Sequence, residues 1–199
     1  MRLVSTTADF SGFCEGKSIA APVGAFAPTG FKHIDISLYR IIYNDSPWIA
    51  PGDGWKKEVE DCIDIAARCG FDFCQAHAPT GEVFKDCEER NAVVLATKRS
   101  IEACRMLGIP HIVIHYPRRE PDKQLFYKNN IGFFKLFEED TEKYGIDILV
   151  ENSSDGWGAP GYLLRTGKEM VDFRKGGGHT QAAHQLGHRP RQRPGLQSV

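Results

Sequence analysis

The chain has 199 residues, of which 41 % are hydrophobic and 26 % are charged, and its formal net charge is −1. This length is sufficient for one domain with a hydrophobic core, and the balanced charge leaves no basic stripe, so no specific nucleic-acid partner is expected. No apolar run reaches the roughly 18 residues of a membrane span, so no membrane partner is expected, and the N-terminus lacks the pattern of a secretory signal.

The six cysteines show no CxxC and no zinc-ribbon spacing, and most of them lie on apolar faces. We interpret them as buried thiols, which are typical of a reducing compartment. The sequence therefore predicts a cytoplasmic protein.

The first predicted strand covers residues 3–7 and is followed by the segment ADFSGFCEGKS. A doubly wound dinucleotide-binding sheet usually carries a glycine-rich phosphate turn, GxGxxG, directly after its first strand. This segment has no such motif, which counts against a nucleotide-binding fold of that kind.

A repeated pattern follows, in which a glycine precedes Phe or Ile and an apolar run that closes on a polar residue. The copies are GFKHIDIS, GFDFCQAH, GIPHIVIH and GIDILVEN, which begin at Gly30, Gly70, Gly108 and Gly145, at intervals of 40, 38 and 37 residues. Glycine accepts the left-handed conformation that ends a helix. A short run rich in Ile and Val is typical of a strand that is buried on both faces.

Between these copies, apolar residues recur at helical spacing. The three stripes are Trp55, Val59, Cys62, Ile63, Ala66 and Ala67; Val94, Ile101 and Cys104; and Phe134, Phe137, Thr141 and Tyr144. Strands that alternate with helices at this interval predict βαβ units and a parallel sheet.

Two parallel-sheet architectures fit this alternation, a doubly wound sheet and a barrel. The predicted strands end on polar residues: Asp35 and Ser37 end the second strand, His77 the third, His115 the fourth and Glu151 the fifth. Functional groups at many strand ends are typical of a (β/α)₈ TIM barrel, which we therefore favour. A complete barrel needs about 250 residues, so we expect an incomplete barrel of about five βα units.

The strand-end residues and the aromatic residues after them are the candidate site, and each also has a purely structural interpretation. Glu151 could cap a strand end, His77 and His115 could be hydrogen-bonded within the strand-end layer, and Asp35 could orient its neighbours. Three aromatic residues in the following loops could line a pocket by stacking or pack at the surface: Tyr39, Trp48 and Trp157. Asn152 could orient Glu151 or contact a ligand.

At these residues the chain resembles the xylose isomerase-like TIM barrel superfamily, which contains sugar isomerases and epimerases and the endonuclease IV type of nuclease. The likeness runs over residues 2–173, and it rests on the stretches GFKHIDISLY, QAHAP, IVIHYP and LVENS. We therefore take residues 1–173 as a partial barrel of this type. The motifs are specific for the superfamily and weak for any one substrate.

The resemblance implies roles for the matching residues. Glu151 is expected to be a divalent-metal ligand and the catalytic group that moves a proton, and His77 and His115 are expected to bind metal or substrate. Asp35 is expected to face the pocket. From their residue type and position, and not from the resemblance, Asn152, Tyr39 and Trp157 are expected to contact substrate. The expected cofactor is Mn²⁺, Mg²⁺ or Co²⁺, or Zn²⁺ if the protein is nuclease-like.

The residues after Phe173 have no apolar periodicity and are rich in Arg, Gln, His, Pro and Gly. Residues 174–199 are therefore expected to be a disordered tail. Codons compatible with residues 179–194, read one base later, encode a WDTGH motif, which this superfamily carries near its sixth strand. We therefore expect a frameshift near Arg174, and a natural low-complexity tail is the alternative.

Three functions remain open on the sequence. The first is a metal-dependent isomerase or epimerase that moves a proton beside the carbonyl of a sugar or sugar phosphate through an enediolate. In that case this chain is expected to be an inactive fragment, and the full-length parent could form a homo-oligomer. The second is an endonuclease IV-like, zinc-dependent nuclease that cleaves at abasic sites. The third is a non-catalytic partial barrel.

Overall fold

The structure, a computed structural model, describes residues 3–10, 18–81, 83, 88–117, 120–152, 161–162 and 164–176. Strands and helices alternate along the described chain. In order they are β1 (Val4–Thr6), α1 (Ala20–Ala25), β2 (His33–Ser37), α2 (Trp55–Cys69), β3 (Asp72–His77), α3 (Glu88–Met106), β4 (His111–Val113), α4 (Lys123–Lys135), α5 (Glu138–Tyr144), β5 (Asp147–Leu149) and α6 (Gly167–Gly176).

The five strands form one parallel sheet in the order β1-β2-β3-β4-β5, so that each strand lies beside its neighbour in sequence. A doubly wound sheet reverses its strand order at a switch point, whereas a barrel adds each strand beside the previous one. The observed order therefore decides between the two architectures, and it confirms an α/β fold that corresponds to the first five βα units of a barrel.

The repeated glycines end helices, as the sequence predicts. Gly70 caps α2 with a φ of 67°, and Gly145 caps α5 with a φ of 67°. A side chain at either position would be strained in this left-handed conformation. The glycine-plus-apolar pattern thus marks the point where each chain segment turns from a helix into the next strand.

One face of the sheet carries the hydrophobic core against the helices. Ile34, Ile36, Ile112 and Ile148 alternate along their strands with the inward-facing residues, and each is at most 3 % exposed. Helix α2 covers this face with Trp55, Val59, Cys62 and Ala66. Two residues that the sequence placed on the same stripe are exposed: Ile63, at 37 %, and Ala67. The buried stripe of α2 is therefore narrower than predicted.

The opposite face of the sheet is polar. Asp35 on β2 lies beside Gln75 on β3, and His33 lies beside Asp72, with 2.6 Å between the His33 Nδ1 and Asp72 Oδ1 atoms. In a barrel this face points to the barrel axis, where the functional residues at its carboxyl end are found.

The loop that joins β2 to α2 is held in place by two interactions. Arg99 on α3 donates hydrogen bonds to the carbonyl oxygens of Pro47, Ala50 and Gly52 at 2.8–3.1 Å. Trp48 is fully buried against Trp55, with 5.2 Å between the ring centroids. Of the two interpretations of Trp48, packing in the loop is therefore the correct one, and this residue does not line a pocket.

The third predicted helical stripe is split between two helices. Helix α4 ends at Lys135 and α5 begins at Glu138, while Phe134, Phe137 and Thr141 remain buried across the break. The stripe is continuous because both helices bury the same side, although their backbones are separate.

Helix α6 begins with a capping box. The Glu169 carboxylate accepts hydrogen bonds from the backbone N–H groups of Arg165 and Thr166 at 2.9 and 2.8 Å, and the Glu169 N–H donates to the Thr166 hydroxyl oxygen at 3.2 Å. These hydrogen bonds lower the pKa of Glu169 below its ordinary value. The helix runs through Gly176, so residues 174–176 of the predicted disordered tail are helical instead, because α6 continues past Phe173. Residues 177–199 lie outside the described residues, and the frameshift remains a prediction.

Four cysteines among the described residues are free thiols: Cys62, Cys69, Cys74 and Cys104. Cys14 and Cys87 lie outside the described residues. Within the described ranges, no helix combines the length and apolar character that a bilayer span requires.

Candidate metal and substrate site

Four side chains converge at the carboxyl end of the sheet. His77 is the last residue of β3, while His115 and Glu151 each follow their strand by two residues. Backbone hydrogen bonds between neighbouring strands continue past the strand ends: the Ala78 N–H donates to the Val113 carbonyl oxygen at 2.9 Å, and the Ile114 N–H donates to the Leu149 carbonyl oxygen at 3.0 Å. The chain segments therefore stay in register up to the candidate residues, with Asp35 below them on β2.

Asp35 holds His77 in one orientation. The His77 Nδ1–H donates to the Asp35 carboxylate at 2.9–3.0 Å, and Gln75 Nε2 donates to the same carboxylate at 3.1 Å. This leaves His77 Nε2 directed at Glu151, with 3.6 Å to Oε1. Burial lowers the pKa of His77, but the hydrogen bond and negative charge of Asp35, with the charge of Glu151, outweigh it and the net pKa is raised.

His115 is held differently, through its Nε2 atom. The Tyr39 hydroxyl lies 2.7 Å from His115 Nε2, and Glu151 Oε2 lies 3.7 Å from the same nitrogen. Burial lowers the pKa of His115, an effect that the Glu151 carboxylate only partly opposes. Burial, together with the negative charges of Glu151 and Asp35, raises the pKa of Tyr39 to about 12. At neutral pH the phenol therefore keeps its proton and donates a hydrogen bond to the neutral imidazole.

The donor set formed by His77, His115 and Glu151 fits a divalent cation. Their ligand atoms all lie within 4.8 Å of one another, while two atoms that bind one ion at about 2.1 Å are at most about 4.2 Å apart. The distances of 3.6 and 3.7 Å from Glu151 to the two imidazoles are already within that limit. Two imidazoles and one carboxylate suit Mn²⁺, Co²⁺ or Zn²⁺ and are acceptable to Mg²⁺.

A small cavity opens beside His115. Its volume is about 140 Å³, and its walls include Pro79, Val83, Val93 and Phe133. Gly81 lies in the loop after β3, at a point where an added Cβ atom would come within 2.6 Å of Val93 Cγ2. The close approach of this loop to α3 thus requires glycine and shapes the space next to the site.

The other candidate residues are distributed less tightly. Asn152 is exposed and donates to the Arg165 carbonyl at 3.5 Å, so it contacts the segment before α6. Trp157 lies outside the described residues. Gln75, which the sequence analysis did not single out, contacts Asp35, and its position two residues before His77 on the same strand face was the signal that could have identified it.

No protein-family model and no curated protein sequence matches the chain. Solved structures do match. A D-psicose 3-epimerase determined in the presence of D-fructose is 18 % identical with a TM-score of 0.62, over 89 % of this chain and 60 % of that chain. A xylose isomerase-like TIM barrel protein from Mycobacterium smegmatis in complex with magnesium is 17 % identical with a TM-score of 0.55, over 80 % of this chain and 53 % of that chain.

A third match is an IOLI protein with a bound zinc atom, which is 17 % identical with a TM-score of 0.56, over 88 % of this chain and 58 % of that chain. Identities at this level show the fold and not the activity. The chain spans about three fifths of the length of these structures.

Proposed function

We propose that this chain, which has the fold of the xylose isomerase-like TIM barrels, carries part of the site of a metal-dependent sugar or sugar-phosphate isomerase or epimerase. The observation that supports this most is the convergence of His77 Nε2, His115 Nε2 and the Glu151 carboxylate at the carboxyl end of the sheet. The similar structures include a D-psicose 3-epimerase and proteins with bound magnesium or zinc.

The proposed roles follow from the way in which each side chain is held. His77, His115 and Glu151 would hold the cation, and Asp35 would fix the imidazole of His77 for that purpose. When bound, a divalent cation supplies Lewis-acid stabilisation of the negative charge that develops on the substrate oxygens as a proton leaves the neighbouring carbon.

Glu151 is the group that we propose moves the proton. Asp35 is only 7 % exposed, and its carboxylate oxygens already accept hydrogen bonds from His77 and Gln75, so this carboxylate is not available to a substrate. The side chain of Glu151 is 48 % exposed, so a substrate can reach its carboxylate. A carboxylate in this position can accept a proton from one carbon and return it to the same carbon or its neighbour.

The substrate contacts belong to the same proposal. Tyr39 and Asn152 would contact the hydroxyl groups of a ketose, and Trp157 is a further proposed substrate contact that rests on the sequence alone. Mn²⁺, Mg²⁺ or Co²⁺ is the proposed cofactor, and the reducing cytoplasm in which free thiols persist is the proposed location. The described site contains one carboxylate ligand, so we propose that the isolated chain binds metal and sugar without measurable turnover.

The test is calorimetric titration of the full 199-residue chain with Mn²⁺, followed by D-fructose. We expect Mn²⁺ to bind, D-fructose to bind only when Mn²⁺ is present, and Glu151→Gln to abolish both. Glu142→Gln is the matched control, because Glu142 is exposed on α5, and it should behave as the unaltered chain does. Equal Mn²⁺ binding by the Glu151→Gln chain would refute the proposal.

The alternatives predict different results in the titration and in two further assays. Zinc-dependent cleavage of DNA at an abasic site would favour the endonuclease IV-like function. Absence of any cation binding would favour a non-catalytic partial barrel. Epimerisation of D-fructose by the isolated chain, measured by chromatography of the sugars, would contradict the expected lack of turnover.

A further inference from the structure

We infer that Tyr39 is a positioning residue whose hydroxyl competes with a divalent cation for His115 Nε2. The inference rests on the proposed function, because it concerns the same cation site. It adds a residue that restrains the site in its metal-free state and so sets the affinity for the cation.

The competition follows from the chemistry of the imidazole ring. A neutral imidazole has one nitrogen with a free lone pair, and this lone pair can accept a hydrogen bond or bind a metal ion, but not both. The Tyr39 hydroxyl lies 2.7 Å from His115 Nε2, which is a short and direct hydrogen bond. The same nitrogen lies 3.7 Å from Glu151 Oε2, so it is the ring nitrogen of His115 that faces the candidate carboxylate ligand.

The two histidines are therefore prepared for a cation in opposite ways. His77 uses Nδ1 to bind Asp35, which leaves Nε2 directed into the site. His115 has its Nε2 atom engaged by Tyr39, so the hydrogen bond must break before this histidine can bind a cation. Asp35 favours the metal-bound state, whereas Tyr39 favours the metal-free state.

The backbone holds Tyr39 where it can do this. The N–H of Leu38, the residue before it, donates to the His77 carbonyl at 2.9 Å, which fixes the chain against β3. The Tyr39 ring then packs against both histidines, with centroid distances of 5.5 Å to His77 and 5.7 Å to His115, whose own rings are 5.9 Å apart. Removal of the hydroxyl alone should leave this packing in place, because the ring contacts do not depend on it.

The test is a titration of the full chain with Co²⁺, in which binding is measured by calorimetry and, independently, by the visible absorption of the bound ion. We expect Tyr39→Phe to bind Co²⁺ about 3- to 10-fold more tightly than the unaltered chain, which is the factor that one net hydrogen bond contributes to an equilibrium. Tyr144→Phe is the control. Tyr144 ends α5 just before β5 begins, so it lies near the amino end of the sheet and the site lies at the carboxyl end; we expect this substitution to leave the affinity unchanged.

A double-mutant cycle shows whether the effect passes through His115. We expect His115→Ala to weaken Co²⁺ binding and Tyr39→Phe to have no further effect in that background. A merely structural role for Tyr39 would give weaker binding on removal of the hydroxyl, which is the opposite sign.

The failures of the two proposals are distinguishable. Unchanged or weaker Co²⁺ binding by Tyr39→Phe, or a gain that persists in the His115→Ala background, would overturn the role of Tyr39 while Glu151→Gln still abolishes binding. Co²⁺ binding that is indifferent to Glu151→Gln would overturn the proposed metal site and, with it, this inference.

Discussion

Replacement of Asp35 by Asn should weaken cation binding while it leaves the fold intact. Asp35 is 7 % exposed, and its carboxylate lies 2.9–3.0 Å from His77 Nδ1. The single amide oxygen of Asn, placed where Oδ2 lies, can still accept from both His77 Nδ1 and Gln75 Nε2, so Asp35→Asn removes the charge and one of the two acceptor oxygens. Loss of a carboxylate that orients a metal-binding histidine typically costs about 10- to 100-fold in affinity, which corresponds to about 1.4–2.7 kcal/mol.

The assay is calorimetric titration with Mn²⁺ at two pH values. The pKa of His77 is raised, so a proton competes with the cation for His77 Nε2 and binding should strengthen as the pH rises through that pKa. In Asp35→Asn the pKa of His77 falls, and this strengthening should occur at lower pH. We expect the full affinity loss at pH 8, where proton competition is smallest.

The same pair contributes to the stability of the metal-free chain in a defined pH window. Because the folded-state pKa of His77 is raised, the stabilisation is fully present below the unfolded value of about 6.5 and is lost as the pH rises through the folded value. Asp64→Asn, on the exposed face of α2, is the matched control. Equal Mn²⁺ affinity in Asp35→Asn and the unaltered chain at pH 8 would refute the role of Asp35.

Three further predictions concern the scaffold of the site. Hydrogen bonds lower the pKa of Glu169, so its contribution to stability is present above the unfolded pKa of about 4.5 and is lost as the pH falls through the folded pKa. Glu169→Gln should therefore remove this part of the acid dependence of stability, which thermal melts between pH 3 and 7 measure. Arg99→Met should cost about 2 kcal/mol in denaturant unfolding, since three carbonyl oxygens lose a charged donor, and an unchanged midpoint would contradict this. Gly81→Ala should cost about 1–3 kcal/mol through the clash with Val93, and Val93→Ala should recover part of that loss in the double variant; independent effects of the two substitutions would show that no clash occurs.

The strand ends of this fold are readable from the sequence because one physical pattern recurs. A glycine that ends a helix, followed by a short apolar run, places the next polar residue at the carboxyl end of a strand, as His77 shows. Parallel strands in chain order then bring such residues together without any further information. The convergence of His77, His115 and Glu151 follows from this rule, although the last two lie two residues beyond their strands.

The contacts between loops and strands are not readable in this way. Trp48 follows β2 in a polar, proline-containing segment, and only tertiary packing against Trp55 determines that it is buried. The hydrogen bond between Tyr39 and His115 joins residues that are 76 positions apart, and no local pattern specifies it. The break between α4 and α5 is likewise invisible in the apolar stripe, because Phe134 and Phe137 are buried on the same side of both helices.

The central claim is that imidazoles and a carboxylate from three successive parallel segments bind one cation. Anomalous scattering from crystals soaked in Mn²⁺ tests it most directly. We predict a single peak at about 2.1–2.3 Å from His77 Nε2, His115 Nε2 and the Glu151 carboxylate. A peak elsewhere, or side chains of these three residues that point away from one another, would contradict the claim.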